Sequence, residues 1–378
     1  MKILLYIIIG LSLFSCTDSK KIFIIKNTNL FDGENYRTNV NIIVSNDSIV
    51  EITKKESWPT NSQIINGEGK TVIPPLLNAH VHAWQKENLK ESLNAGVFGT
   101  FDMHTTDASA ASLRYYREFS DHAYYYSSGP GATVPGGHGT EYGVTVPTID
   151  SITSPEKFVD DRVKNGADYI KIFREPAMPT LNFSQTKQVI DAGHKHAKIC
   201  VAHATILSDA LILNQQGVDG LVHIWIDRTI SKNQLDSLRA SKIFMVPTLF
   251  ATKKLFEQAN SEKWNMSLIS YEQLLIEIKK IYDSGIPILA GTDAPNYSFN
   301  YGDDYFEELK LLHEAGISPI EVLKAGTSNV YKSFKIKDFK KLEPGSEASF
   351  ILVNGLPLNN FDCIDRVESI WKKGKKIK

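Results

Sequence analysis

Five side chains of metal-ligating type stand where apolar segments of this chain end. His80 and His82 close one such segment, and residues two apart in a strand point the same way. His203 and His223 close two later segments, and Asp293 follows another. Imidazoles and carboxylates bind Zn²⁺ and similar divalent ions. If these segments are neighbouring parallel strands, their carboxyl ends meet and the five side chains form one metal site.

Lys171 is unusual among the candidates, because it lies inside the apolar segment 168–173. A buried ammonium is costly, and it would repel metal ions nearby. It therefore needs a carboxylate partner, a lowered pKa or chemical modification. A carbamylated lysine is an anion that could bridge two cations. The alternative is a lysine paired with an acidic neighbour.

Three residues near the ends of predicted strands are candidates for substrate binding. His138 belongs to the glycine-rich segment 129–139, whose glycines allow close backbone approach to a ligand. His104 follows the second predicted strand and has a similar position. Arg174 could hold a carboxylate or pair with the adjacent Glu175.

These side chains need a scaffold that brings distant strand ends together. Between residues 73 and 339, short apolar segments alternate with amphipathic stretches of helical period, which predicts a parallel sheet. Eight strands in about 265 residues suit a (β/α)8 TIM barrel, an α/β fold whose active sites lie at the carboxyl ends of the strands. We predict strands at 77–82, 98–103, 122–127, 168–173, 199–203, 220–224, 243–248 and 287–292, and helices at 155–165, 184–197, 206–215, 232–240, 268–283 and 303–314.

Both ends of the chain differ from the middle. Residues 17–72 and 340–378 contain short β-type segments bounded by Asn, Asp and Gly turns. The simplest arrangement is one small β-sandwich domain formed from both termini, with the barrel of residues 73–339 inserted between them.

The N-terminal segment has the pattern of an export signal. One lysine precedes about a dozen apolar residues, a stretch too short for a transmembrane helix and typical of a signal peptide. Residues 13–16, Leu-Phe-Ser-Cys, match a bacterial lipobox. We expect removal of residues 1–15, after which lipidated Cys16 anchors an exported protein to a membrane of the bacterial cell envelope. The alternative is a plain secretory signal.

The composition is that of an ordinary globular protein, with 42% hydrophobic and 22% charged residues in a chain of 378. Lys and Arg number 42 against 43 Asp and Glu, so the net charge is −1 and nucleic-acid binding has little electrostatic basis. Three cysteines are too few for a disulfide framework. The expected partner is a small-molecule substrate, and the oligomeric state is left open.

Motifs along most of the chain resemble the amidohydrolase superfamily of metal-dependent hydrolases, in particular its imidazolonepropionase-like and Xaa-Pro dipeptidase-like branch. Residues 67–82, 166–172, 291–295 and 325–329 carry these motifs in the family's order. The resemblance implies a barrel with a β-sandwich and two divalent metal ions, for which Zn²⁺ suits nitrogen and oxygen ligands. It implies these roles: His80 and His82 on the more buried ion, carbamylated Lys171 as the bridge, His203 and His223 on the second ion, and Asp293 as ligand and catalytic proton shuttle.

The chain departs from the family pattern at positions that are not metal ligands. Pro75 stands where Gly is common, and Asn78 stands where Asp is common. The segment that begins at Gly345 lacks the usual Asp, which concerns the β domain and not the chemistry.

The resemblance predicts hydrolysis of an amide C–N bond by a metal-activated hydroxide, in a dipeptide-like or a cyclic amide substrate. One alternative is a one-metal imidazolone hydrolase or deaminase, in which Lys171 would have no metal role. The other is a lipid-anchored binding protein without catalysis.

Overall fold

The computed structural model describes residues 21–60, 62–258 and 269–378. The predicted signal peptide, residues 1–15, and the predicted lipidation site, Cys16, lie outside the described residues. Export and lipid anchoring therefore stay predictions. In the described ranges, no helix combines the length and the apolar character needed to cross a bilayer.

Strands and helices alternate through the middle of the chain, and strands predominate at both ends. The strands are β1 (Ile22–Phe31), β2 (Tyr36–Ser45), β3 (Ser48–Thr53), β4 (Gln63–Asn66), β5 (Thr71–Ile73), β6 (Leu76–Val81), β7 (Val97–Asp102), β8 (Tyr124–Ser127), β9 (Ile170–Arg174), β10 (Cys200–Ala204), β11 (Gly220–Val222), β12 (Phe244–Val246), β13 (Phe350–Val353), β14 (Val367–Lys372) and β15 (Lys375–Lys376). The helices are α1 (Lys86–Ala95), α2 (Asp107–Tyr115), α3 (Pro155–Lys164), α4 (Phe183–Lys195), α5 (Leu207–Gln215), α6 (Lys232–Ala240), α7 (Leu249–Gln258), α8 (Tyr271–Asp283), α9 (Asp304–Glu314), α10 (Pro319–Ala325) and α11 (Ser328–Ser333). Short 3₁₀ helices lie at Tyr116–Glu118, Asn296–Ser298 and Phe361–Asp365.

The helices begin where the sequence supplies capping side chains. Asn182 caps α4 by accepting from the backbone N–H of Gln185, whose side chain accepts in return from the N–H of Asn182. Ser231 and Gln234 form the same reciprocal pair at the start of α6. Each predicted helix is present within a few residues of its predicted bounds.

One mixed sheet contains strands from both ends of the chain. Its order is β15-β14-β13-β5-β1-β2-β3, and β4 pairs with β1. Along β13, Phe350 and Leu352 pack into a core on one face of this sheet, whereas Ile351 and Val353 pack into the larger core of the molecule. Both termini thus contribute to one sheet. Its predicted sandwich arrangement and the predicted domain boundaries stay predictions.

Seven parallel strands form the framework of a TIM-barrel-like α/β fold. One sheet contains β6, β7 and β8, and another contains β9, β10, β11 and β12. These seven correspond to the first seven strands predicted for the barrel. The strands β6 and β12 each form one isolated parallel bridge to residues 288–294, and β9 forms one to Ala132. The contacts are the isolated parallel bridges Val81–Ala294, Met245–Ile288 and Ala132–Ile172.

The predicted eighth strand at residues 287–292 is wrong, because this segment forms no continuous ladder with one neighbour. The amide of Leu289 donates to Met245 in β12, whereas the amide of Thr292 donates to β6 on the other side. Asp293 then has a φ of 68°, in the left-handed region. The chain therefore turns at Asp293 instead of continuing as an extended strand.

Candidate metal centre

His80, His82 and Asp293 form a compact group at the carboxyl end of β6. Their ligating atoms all lie within 4.8 Å of one another. Asp293 Oδ1 is 3.0 Å from His80 Nε2 and 3.1 Å from His82 Nε2. The backbone N–H of Asp293 donates to the carbonyl of His80 at 2.9 Å, which places the turn beside the strand. Two residues of one strand and one residue from far along the chain thus present their donor atoms to one point.

The protonation states in this group suit a cation. His82 Nδ1 donates to the carbonyl of His104 at 3.1 Å, so Nε2, which faces Asp293, is the nitrogen of His82 placed to bind a cation. Burial lowers the pKa of His80 to about 3. Burial alone would raise the pKa of Asp293, but the neighbouring His80 and His82 hold it well below its usual range. The group therefore offers neutral imidazole nitrogen and a carboxylate at neutral pH.

His203 and His223 form a second pair directly beside the first group. His203 lies in β10, His223 follows β11, and their ring centroids are 4.5 Å apart. The ring of His223 is 5.0 Å from that of His80. His223 Nδ1 lies 2.7 Å from Thr248 Oγ1, which leaves Nε2 of His223 free. Burial lowers the pKa of both imidazoles, to about 4 for His203, so both are neutral at pH 7.

Glu175 fixes the orientation of His203. Its Oε2 accepts from His203 Nε2 at 3.2 Å and from Thr205 Oγ1 at 3.0 Å. His203 Nδ1 is buried and has no hydrogen-bond partner among the residues that the structure describes. Nδ1 is therefore the nitrogen of His203 that is free to bind a metal ion.

Lys171 lies in β9 and is 1% exposed. Within the described ranges its Nζ has no hydrogen-bond partner and forms no ion pair, so the predicted alternative of a lysine paired with an acidic neighbour is wrong. Nζ lies 5.4 Å from the centre of the Phe173 ring. Burial lowers the pKa of Lys171 to about 7, so a neutral, nucleophilic amine is accessible near neutral pH.

One cavity of about 350 Å³ brings these groups together. Buried polar atoms without a partner are rare in proteins and call for a bound partner or another explanation. The free nitrogens of Lys171 and His203 therefore fit the predicted metal site. The cavity lining contains the six predicted ligands His80, His82, Lys171, His203, His223 and Asp293, together with His138, Tyr142, Phe173, Thr205, Ile224, Ile226, Ala251, Thr252, Leu255, Asn296 and Tyr297.

His138, predicted to bind substrate, lies in the lining of this cavity. Its Nδ1 is 2.6 Å from Glu141 Oε1, and its ring centroid is 4.7 Å from that of His203. The loop thus places the imidazole beside the second pair of histidines. Contact with substrate stays a prediction for this residue.

His104 and Arg174, the other two residues predicted to bind substrate, do not line this cavity, and their contact with substrate stays a prediction. His104 Nε2 donates to the carbonyl of Gly139 and its Nδ1 accepts from the N–H of Gly131, so both ring nitrogens hold the glycine-rich loop. Arg174 Nε donates to Asp209 Oδ2 at 2.7 Å. Because this carboxylate engages the guanidinium, the predicted alternative, a pairing of Arg174 with Glu175, is wrong. Partners from distant segments engage both side chains.

Sequence reasoning missed several residues that hold the ligands. Thr248 is the last residue of a predicted strand, so its position at a strand end could have identified it as a residue near the site. Asn296 Nδ2 donates to Asp293 Oδ2 at 2.9 Å, and the Tyr301 hydroxyl donates to the carbonyl of His82 at 2.6 Å. No sequence pattern distinguished these two from ordinary loop residues.

Comparisons with known proteins agree with this geometry. The profile of the amidohydrolase family matches residues 71–377. The chain is similar to the structure of a Xaa-Pro dipeptidase with bound methionine in its active site, at 20% identity over 94% of this chain and 100% of that chain, with a TM-score of 0.79. It is similar to a prolidase candidate from Bifidobacterium longum, at 22% identity over 94% of each chain and a TM-score of 0.77. It is also similar to the A. niger ochratoxinase, at 17% identity over 96% of each chain and a TM-score of 0.77. A comparison with curated protein sequences found no match.

Proposed function

The chain belongs to the amidohydrolase family, and from that premise we propose that it is a metal-dependent hydrolase of an amide bond in a small molecule. The resemblance predicted from the sequence motifs is confirmed at the level of the family. As a member of this family the protein hydrolyses carbon–nitrogen bonds. The metal dependence, two ions as their number, Zn²⁺ as their identity and the amide substrate are the proposal.

The observation that carries the proposal is that Lys171, which has no hydrogen-bond partner among the described residues, lies in one cavity with four histidines. An ammonium at this place would lack any compensating carboxylate contact within the described residues, and it would repel bound cations. A carbamylated side chain removes both difficulties, because it is an anion with two oxygen ligands. His80, His82, His203, His223 and Asp293 would hold the two ions with it.

Divalent ions bound at this site lower the pKa of water and polarise a carbonyl group. Asp293 is the residue that moves the proton: its carboxylate accepts the proton of the attacking water and delivers it to the leaving nitrogen. The C–O bond forms as the C–N bond breaks, and a carboxylic acid and an amine are released. The hydrogen bond from Asn296 to Asp293 Oδ2 keeps this carboxylate oriented during the transfer.

The one-metal alternative rests on one specific observation. His80, His82 and Asp293 alone form a complete three-ligand group. In a one-metal enzyme, Lys171 would be dispensable. The substitution Lys171→Ala therefore separates the two possibilities.

Metal content is the measurement that tests the proposal. We expect residues 17–378, prepared with bicarbonate and a divalent metal, to contain about two equivalents of metal by plasma mass spectrometry. We expect Lys171→Ala to lose metal while His196→Ala, at the exposed end of α4, keeps the parental content. One equivalent in both the parent and Lys171→Ala would favour the one-metal enzyme. No bound metal in the parent would favour the binding protein without catalysis.

Two further predictions from the sequence belong to this proposal. The bridges that connect β6 and β12 to residues 288–294 support closure of the strands into one barrel. The lipobox at residues 13–16 supports export and anchoring through Cys16. Incorporation of labelled fatty acid into the parent but not into Cys16→Ala would test the anchor.

A further inference from the structure

One wall of the cavity is aliphatic. Ile224 and Ile226 follow β11 directly after His223, and both are almost completely buried. Ala251 and Leu255 lie four residues apart on α7, so they share one face of that helix. All four aliphatic side chains line the cavity. A ligand held at the histidines therefore has a continuous apolar surface on one side.

The mouth of the cavity is aromatic. Tyr142 and Tyr297 line it and are 37% and 38% exposed. The ring centroid of Tyr142 is 6.3 Å from that of His82 and 6.1 Å from that of His138. Burial, with a further contribution from nearby Asp293, raises the pKa of both tyrosines, so their hydroxyls are neutral. Aromatic rings with neutral hydroxyls pack well against uncharged ligand groups.

Apart from the predicted metal ligands, the described part of the lining offers no lysine or arginine to a substrate carboxylate. Among the described residues, Lys171 is the only lysine or arginine in it. Arg174 is paired with Asp209, and Arg228 is paired with the adjacent Asp227. His138 Nδ1 lies 2.6 Å from Glu141 Oε1, so this carboxylate would offset a positive charge on the imidazole. A carboxylate that enters this cavity away from the metal ligands would lose its hydration and would gain only neutral donors, such as the hydroxyls of Tyr142 and Tyr297, without a countercharge.

We propose that the substrate of this site is a neutral amide whose groups on either side of the reacting bond are apolar, and that the site discriminates against amides that carry a carboxylate. The inference rests on the proposed hydrolase function and narrows it. It predicts that dipeptides with a free carboxyl terminus are poor substrates and that uncharged amides with aromatic or branched aliphatic groups are good ones.

The test uses two matched pairs of compounds with the metal-loaded protein. N-phenylacetyl-phenethylamine and N-phenylacetyl-L-phenylalanine are amides that differ only by one carboxylate. N-benzylsulfonyl-phenethylamine and N-benzylsulfonyl-L-phenylalanine are their sulfonamide analogues, which resist hydrolysis. Steady-state kinetics gives kcat/KM for the amides, and calorimetry gives Kd for the sulfonamides. We expect the neutral member to be favoured by about 100-fold in both measurements.

The two readouts separate failure of this inference from failure of the proposed function. Preferential binding of the neutral sulfonamide without hydrolysis of either amide would support the apolar site and overturn the hydrolase proposal for such amides. Equal or tighter binding of the carboxylate sulfonamide would overturn the inference, and hydrolysis of N-phenylacetyl-L-phenylalanine would then leave the hydrolase proposal standing. No binding of either sulfonamide at about 1 mM would also overturn the inference.

A gain-of-charge variant sharpens the test. Leu255→Arg places a guanidinium in the aliphatic wall, where it can pair with a ligand carboxylate. We expect this variant to lower Kd for N-benzylsulfonyl-L-phenylalanine by about 10-fold, while the uncharged control Leu255→Gln does not. An equal gain in both variants would show that polarity or space, and not charge, limits binding of the carboxylate, which would overturn the inference.

Discussion

Two buried lysines, Lys171 and Lys372, show what distinguishes the candidate site from the seam between the mixed sheet and the rest of the molecule. Each is 1% exposed. Lys372 Nζ donates to the carbonyls of Phe119 and His122 at 2.9 and 2.6 Å and lies 4.3 Å from the centre of the Tyr124 ring. Lys171 Nζ also lies near an aromatic ring, that of Phe173 at 5.4 Å, but it has no hydrogen-bond partner in the part of the chain that the structure describes.

The pKa does not separate the two lysines. Burial lowers the pKa of Lys372 to about 8 and that of Lys171 to about 7. The difference lies in the hydrogen-bond partners. The seam provides two backbone carbonyls for Lys372, whereas the cavity provides none for Lys171 among the described residues. A buried lysine therefore indicates a functional site only when its nitrogen lacks a partner.

The largest effect on activity should come from replacing Lys171 by methionine, with the same replacement of Lys372 as the comparison. We expect Lys171→Met to lower kcat/KM by about 1000-fold or more, because it removes a side chain that acts with the other ligands as a unit. Lys372→Met should keep kcat/KM within about threefold of the parent, because it lies outside the cavity. Steady-state kinetics on both variants checks this, and near-parental activity of Lys171→Met would break the contrast between the two regions.

A smaller effect should follow from loss of the hydroxyl that orients His223. Thr248→Val removes the partner of His223 Nδ1, and we expect metal affinity to fall by about 10–100-fold. Competition with a chromogenic chelator measures the affinity. Thr100→Val is the matched control, since Thr100 is as buried as Thr248, lies outside the cavity lining and donates to the backbone carbonyl of Tyr124. Equal affinity of Thr248→Val and the parent would mean that packing alone orients His223.

Replacement of Lys372 at the seam should lower the stability of the folded protein. Lys372→Met leaves the carbonyls of Phe119 and His122 without their donor, and we expect the free energy of unfolding to fall by about 2 kcal/mol. Urea denaturation of the metal-free protein gives this value. Lys375→Met, at an exposed position of β15, is the control and should change it by less than about 0.5 kcal/mol. An unchanged stability of Lys372→Met would show that water replaces the ammonium at the seam.

The smallest effect is a pH dependence. Between pH 8 and pH 10.5 the unfolded chain keeps a proton on Lys372 that the folded chain has released, so this lysine makes stability rise with pH across that window. Lys372→Met lacks this contribution, and the slope of its unfolding free energy should be lower by up to about 1.4 kcal/mol per pH unit. Parallel pH profiles of variant and parent would show that the two carbonyls keep Lys372 protonated throughout the window.

Much of the framework followed from local pattern. Helical period located the helices, and apolar segments located seven strands of the parallel sheets. The segment 287–292 has a strand's composition, yet its amides donate to three different elements: Leu289 to β12, Ala290 to α10 and Thr292 to β6. Local composition predicts an extended conformation, but it does not determine which neighbours accept the hydrogen bonds.

The sequence by itself determined which side chains could bind metal and that the four histidines lie at or near strand ends, because residue type and the two-residue period of a strand are local properties. Only the tertiary structure decided that Lys171 has no carboxylate partner, that distant groups engage His104 and Arg174, and that α7 supplies an aliphatic wall. The physical reason is that hydrogen bonds, ion pairs and cavity walls join segments far apart in the chain. Asp209 lies 35 residues from Arg174, and Asp293 lies 211 residues from His82. Chain spacing at such separations carries no information about distance.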